Sequence, residues 1–136
     1  MFGQSRSPVA AYAQVGVETA VHTASPHQLI ALLFEAGRTA LNMARLAMEQ
    51  NKVDARGTAI SKAIDIISNG LQVSLDLDSG GDLAVKLSAL YSYMTRRLIH
   101  ANISNDRQAL DEVDGLLGEI QSAWIEIGEK VRLSST

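Results

Sequence analysis

Thr23-Ala24-Ser25-Pro26-His27-Gln28-Leu29-Ile30-Ala31-Leu32-Leu33 is the clearest helix start in the chain. Ser25 suits the N-cap, where its hydroxyl accepts from a free amide of the first turn. Pro26 follows at the first helical position, where its missing N–H costs nothing and its fixed φ fits. Apolar or small residues then recur at Leu29, Leu32/Leu33, Ala36, Ala40, Met43, Ala44 and Ala47. That spacing puts one buried stripe on a helix running to Gln50. At roughly 1.5 Å per residue the rod is well over 30 Å long. It cannot bury its stripe alone, so the rest of the chain must supply partner helices.

The remainder of the sequence does so. Both prolines, Pro8 and Pro26, lie before residue 27, so nothing breaks the helices downstream. A turn at Asn51–Asp54 leads to a second helix over 55–76, with Asp54 or Thr58 as cap. Its stripe is Ile60, Ala63, Ile64, Ile67, Leu71 and Leu75, with Ile66, Val73 and Leu77 off it. Gly70 weakens this helix and implies close approach of another backbone. Asp78-Ser79-Gly80-Gly81-Asp82 is the strongest turn signal. A third helix over 82–103 carries Leu83, Leu87, Leu90, Tyr91, Met94, Leu98 and Ala101. Ser104 or Asn105 caps a fourth over 106–131, with Leu110, Val113, Leu117, Ile120, Trp124, Ile127 and Val131. Trp124 reads as the main aromatic anchor of the core, beside Leu87, Leu117 and Ile120. Gly115, Gly118 and Gly128 leave this helix dependent on tertiary packing. The expected fold is all-α, an antiparallel up-down four-helix bundle over 23–131. An N-terminal arm (1–22) precedes it and a disordered tail (132–136) follows. The arm has Phe2, Val9, Tyr12, Val15, Val17 and Val21 among Ser5, Ser7, Pro8 and Gly16. It reads either as a frayed terminus or as a strap packed on the bundle through Tyr12.

Composition narrows the function. The 136 residues are 46% hydrophobic but only 4% aromatic, so the core is aliphatic. The net charge of −3 comes without a Lys/Arg stripe, which argues against a nucleic-acid partner. There is no cysteine, hence no disulfide and no thiolate. The first residues do not resemble a secretory signal, and no apolar run reaches membrane-spanning length. A cytoplasmic protein without membrane insertion is the expectation. His22, His27 and His100 are scattered, with no Glu-x-x-His pair for a metal and no exposed mid-helix histidine for phosphotransfer. No nucleophile elbow or phosphate loop occurs. We therefore expect no enzyme, no metal and no cofactor. What remains is surplus apolar surface on helices two and three. It suits a helical or extended peptide ligand, a homodimer partner or the N-terminal arm.

Further residues carry a family likeness. Tyr12, then Thr23 to Leu33 and Phe34-Glu35-Ala36-Gly37, resemble the opening of the flagellin-specific export chaperones of bacterial flagella. There a tyrosine precedes a Thr-Ala-x-Pro-x-x-Leu-Ile helix start and an aromatic-acidic-Gly/Ala turn. Lys62-Ala63-Ile64-Asp65-Ile66-Ile67, Leu75-Asp76, Gly80-Gly81-Asp82-Leu83-Ala84, Leu90-Tyr91-Ser92-Tyr93-Met94, Leu98, Ala101-Asn102 and Ala123-Trp124 follow in the family's order. Each match is short; their joint order over residues 12 to 127 is specific. Ala36, where an acidic residue is often found, is a departure. The resemblance implies a four-helix bundle that binds the disordered C-terminal segment of flagellin. It further implies prevention of premature polymerisation and delivery to the type III export gate, with export-gate components and other flagellar regulators as further partners. On that reading Tyr12, Leu29, Leu33, Ile64, Ile67, Leu71, Leu90, Tyr91, Met94 and Leu98 line or support the client groove. A core-only role for Leu33, Ile67 or Met94 stands equally open, as does a generic helical adaptor with another peptide client.

Overall fold

A computed structural model describes residues 24–134. Among the described residues there are four helices and no strand: α1 (Pro26–Glu49), α2 (Val53–Asp65) continued by a π-helical segment (Ile66–Gln72), α3 (Gly81–Ser104) and α4 (Arg107–Ser134). The expected arm, with Tyr12, lies outside the described residues.

α1 begins as its sequence dictates. The Gln28 amide donates to Ser25 Oγ at 3.2 Å, and the Ser25 amide donates to Gln28 Oε1 at 2.8 Å. This reciprocal capping box satisfies two donors that the first turn leaves free. The buried stripe is Leu33, Phe34, Gly37, Ala40, Leu41, Ala44 and Ala47. Met43 was expected on that stripe but is 59% exposed. Phe34 to Gly37, read as a turn by family likeness, is continuous mid-helix, with Gly37 buried facing Ile66 and Leu117.

The later helices depart from expectation at their ends. α2 starts at Val53 behind Lys52, with no side-chain cap, so neither Asp54 nor Thr58 plays that part. Asn105 does not cap α4. It closes α3 in the left-handed region, φ 51°, while the Asp106 carboxylate accepts from the Ala109 amide at 3.2 Å. α4 continues three residues past its expected end, to Ser134. Leu83 and Ile127 fall outside the core stripes, at 66% and 51% exposed; Ala84 is buried in place of Leu83.

The π segment was not foreseen, yet it has a physical reason. Ala59, Ala63, Ile67 and Leu71 are all buried, and each is four residues from the next. Four residues overshoot an α-helical turn of about 3.6, so such a stripe drifts around a regular helix. A stretch of wider π turn takes back the drift. It keeps Ile66, Ile67, Gly70 and Leu71 facing inward, with Leu75 packed against the core and Ser74 outside. Gln72 then ties the segment to α3 through its amide nitrogen. That nitrogen lies 3.0 Å from Ser88 O, 3.1 Å from Ser88 Oγ and 2.9 Å from Ser92 Oγ.

Contacts at both ends of each pair fix the topology. Arg45 meets Asp111 while His27 meets Trp124, so α1 and α4 run antiparallel. Arg56 meets Asn102 while Gln72 meets Ser88, so α2 and α3 do too. Each of α1 and α3 packs against both α2 and α4, which closes the bundle. The core is aliphatic apart from Phe34 and Tyr91, with Leu33, Leu41, Ile60, Met94, Leu110 and Leu117 among its buried members.

Candidate functional site

Several charged and polar side chains join the helices across their seams. On the α1–α4 seam Arg38 donates to Asp114 at 2.8 Å and to Gln121 Oε1 at 3.0 Å. Gln121, nearly buried, donates onward to Glu35 at 3.3 Å. Arg45 reaches Asp111 and Asp114, and Arg107 reaches Glu49. On the α3–α4 seam Glu112 accepts from the Tyr93 hydroxyl and from Arg97 at 2.7 Å. The Tyr93 hydroxyl bond foremost, then Arg97, holds the Glu112 carboxyl below its usual range. His100 pairs with Asp106 at 3.0 Å. No group of three or more metal-binding side chains occurs among the described residues.

A second feature is apolar surface. Eleven large apolar side chains among the described residues are 45–78% exposed. Val73, Leu77, Leu83 and Val85 bracket the connection from the π segment to α3. Ile99 and Ile103 lie on the outside of α3, Met43 and Leu46 on α1, Val53 at the head of α2, Ile125 and Ile127 on α4. At the end where α1 begins, a cavity of about 650 Å³ opens between Pro26, His27, Gln28 and Ala31 of α1 and Ile125, Gly128 and Glu129 of α4.

The residues expected to line or support a groove divide three ways. Leu33, Ile67, Leu71, Tyr91, Met94 and Leu98 are all 2% exposed or less and sit together in the core, where they support the helices from within. Leu29, Ile64 and Leu90 are half-buried on α1, α2 and α3. Tyr12 lies outside the described residues. Trp124 packs on the edge of the core and stacks on His27, centroids 4.2 Å apart; the central ring is Phe34. The outward residues were readable in part. Val85 and Ile103 are eighteen apart, five α-helical turns, so they share a face opposite the buried stripe.

Ion pairs join the helix seams, and large apolar residues are left on the outside of the bundle. Comparison with known proteins gives the family. Residues 8–131 match the family model described as flagellar protein FliS. The chain belongs to the FliS family. It is 56% identical over 124 residues to the flagellar secretion chaperone FliS of Salmonella typhimurium, covering 91% of this chain and 92% of that one. To the flagellar secretion chaperone FliSB of Pseudomonas aeruginosa it is 49% identical, covering 83% and 89%. To the FliS chaperone of Bacillus subtilis it is 31% identical, covering 88% and 84%. Membership in FliS makes this a chaperone of flagellar secretion, on a helical-bundle frame. No helix among the described residues is long and apolar enough to cross a membrane.

Proposed function

We propose that the protein is a cytosolic export chaperone that binds the disordered C-terminal segment of flagellin. The observation that carries this reading is the set of large apolar side chains left exposed on the outside of the bundle. Such residues are costly to leave in water, and contiguous apolar surface usually marks a partner. A disordered tail pays ordering entropy when it binds, so it needs a long surface rather than one deep pocket. Exposed positions on all four helices supply that length, and the tail would wrap the bundle with apolar side chains against them. Bound this way, the tail cannot pack into a filament, and the subunit stays competent for the type III export apparatus. The protein works as a binding partner, without catalytic chemistry.

The test is polymerisation of purified flagellin monitored by light scattering. An equimolar amount of the protein should suppress filament growth, and flagellin lacking its C-terminal region should compete poorly for it. Undiminished growth at several-fold excess of the protein would refute the reading.

A further inference from the structure

α4 is held unevenly along its length. Its first half sends Ala109, Leu110, Val113 and Leu117 into the core, all 0% exposed. Beyond Leu117, Ile120 and Trp124 are only partly buried, and Ile125 and Ile127 face out. Several contacts tie this second half to α1. Gln121 bridges Glu35 and Arg38. The Arg38 guanidinium lies over Gly118, where a Cβ would come within 3.1 Å of it. The His27 ring stacks on Trp124, with planes 4° apart, and fills the space over Gly128 that a Cβ would need. Trp124 Nε1 also donates to the His27 carbonyl at 2.9 Å.

Two further observations place a hinge and a weak pin. Gly115 and Gly118 flank Leu117, the last residue of α4 that is 0% exposed, and each lowers helix propensity by about 1 kcal/mol relative to alanine. A Cβ on Gly115 would meet nothing, so packing does not demand that glycine. At the far end, His27 Nε2 is buried without a hydrogen-bond partner. An unmet polar atom subtracts from the stability that stacking supplies.

We infer that residues 119–134 of α4 form a lever, hinged at Gly118 and latched to α1 by the His27–Trp124 stack. The lever opens as a unit while Ala109 to Leu117 stay packed. Opening widens the cavity between the first turn of α1 and Ile125, and it uncovers Ile120 and the Trp124 ring.

Amide hydrogen exchange on the full chain, resolved by mass spectrometry, tests this. Amides of 120–129 should share one opening rate and exchange at least about tenfold faster than those of 109–117. His27→Ala should speed the 120–129 set by about three- to tenfold, the worth of an aromatic stack, and leave 109–117 unchanged. His27→Phe, which keeps a ring and removes the unmet nitrogen, should slow it. Equal protection in the two halves would overturn the proposal. So would a smooth residue-by-residue gradient inward from Ser134, which is ordinary fraying, or equal acceleration of both halves by His27→Ala. If His27→Ala fails to fold, the wild-type profile decides: a step in protection near 118 supports the lever and a gradient refutes it.

Discussion

Glycines separate two kinds of position on α4. Gly128 is occupied space: a Cβ there would drive into the His27 ring, which is wedged against Trp124. Gly128→Ala should therefore destabilise by about 1–3 kcal/mol, as overpacking does. Gly115 is open space within a helix, so Gly115→Ala should stabilise by up to about 1 kcal/mol. Urea unfolding of the pair measures both, and opposite signs are the expected result. Tyr91 gives a pH signature. Burial pushes its hydroxyl up to about 12 from 10.0. The neutral phenol is thus favoured in the folded state, and its contribution is complete below pH 10 and lost as pH rises toward 12. Tyr91→Phe should flatten that loss in thermal melts taken from pH 9 to 12. Acid works the other way. Asp76, Asp106 and Glu112 are held below their ordinary values by the Ser79 hydroxyl, the Ala109 amide and the Tyr93 hydroxyl respectively. Their contributions are present above the ordinary carboxylate range and fade as pH falls below it. Because Tyr91 and Leu98 are core residues, truncating them would open cavities and would not probe docking.

At the scale of elements, α1 was legible from Ser25 to its last turn because capping, proline placement and periodicity all agree. Ser25→Ala removes the reciprocal cap and should cost about 1 kcal/mol, seen as a lowered midpoint in urea. The second helix was legible in extent but not in kind. Its stripe of four-residue steps is visible in Ala59, Ala63, Ile67 and Leu71, yet the wider turn that accommodates it becomes evident only once those residues are seen buried together. Deleting exposed Asn69 would restore three- and four-residue steps through this stretch. That variant should fold cooperatively with full helicity by circular dichroism, whereas deleting buried Ala63 should not. The starts of α2 and α4 differ from expectation: α2 begins without any side-chain cap, and at α4 neighbouring short polar residues compete for one cap. Lys52 and Asp106 occupy places the sequence offered to Asp54, Thr58, Ser104 and Asn105.

For the whole molecule, family likeness and helix count converged on the same bundle, and most of the core was named in advance. Groove and core were harder to separate. A residue on an apolar stripe reads the same whether its neighbour is another helix or a client. Tyr91, Met94 and Leu98 turned inward, whereas Val85, Ile99 and Ile103 carry the outward face of the same helix. The account therefore places client contact on the outward set. Replacing Leu83 and Val85 by aspartate should leave the melting curve nearly unchanged, since both are more than half exposed, but weaken the flagellin complex at least about tenfold. Calorimetric titration of the C-terminal region of flagellin into the protein addresses the central claim most directly. The account predicts tight binding near one to one with a negative heat-capacity change from apolar burial. It also predicts no heat with flagellin lacking that region. Equal binding of both flagellins, or no binding of either, would contradict it.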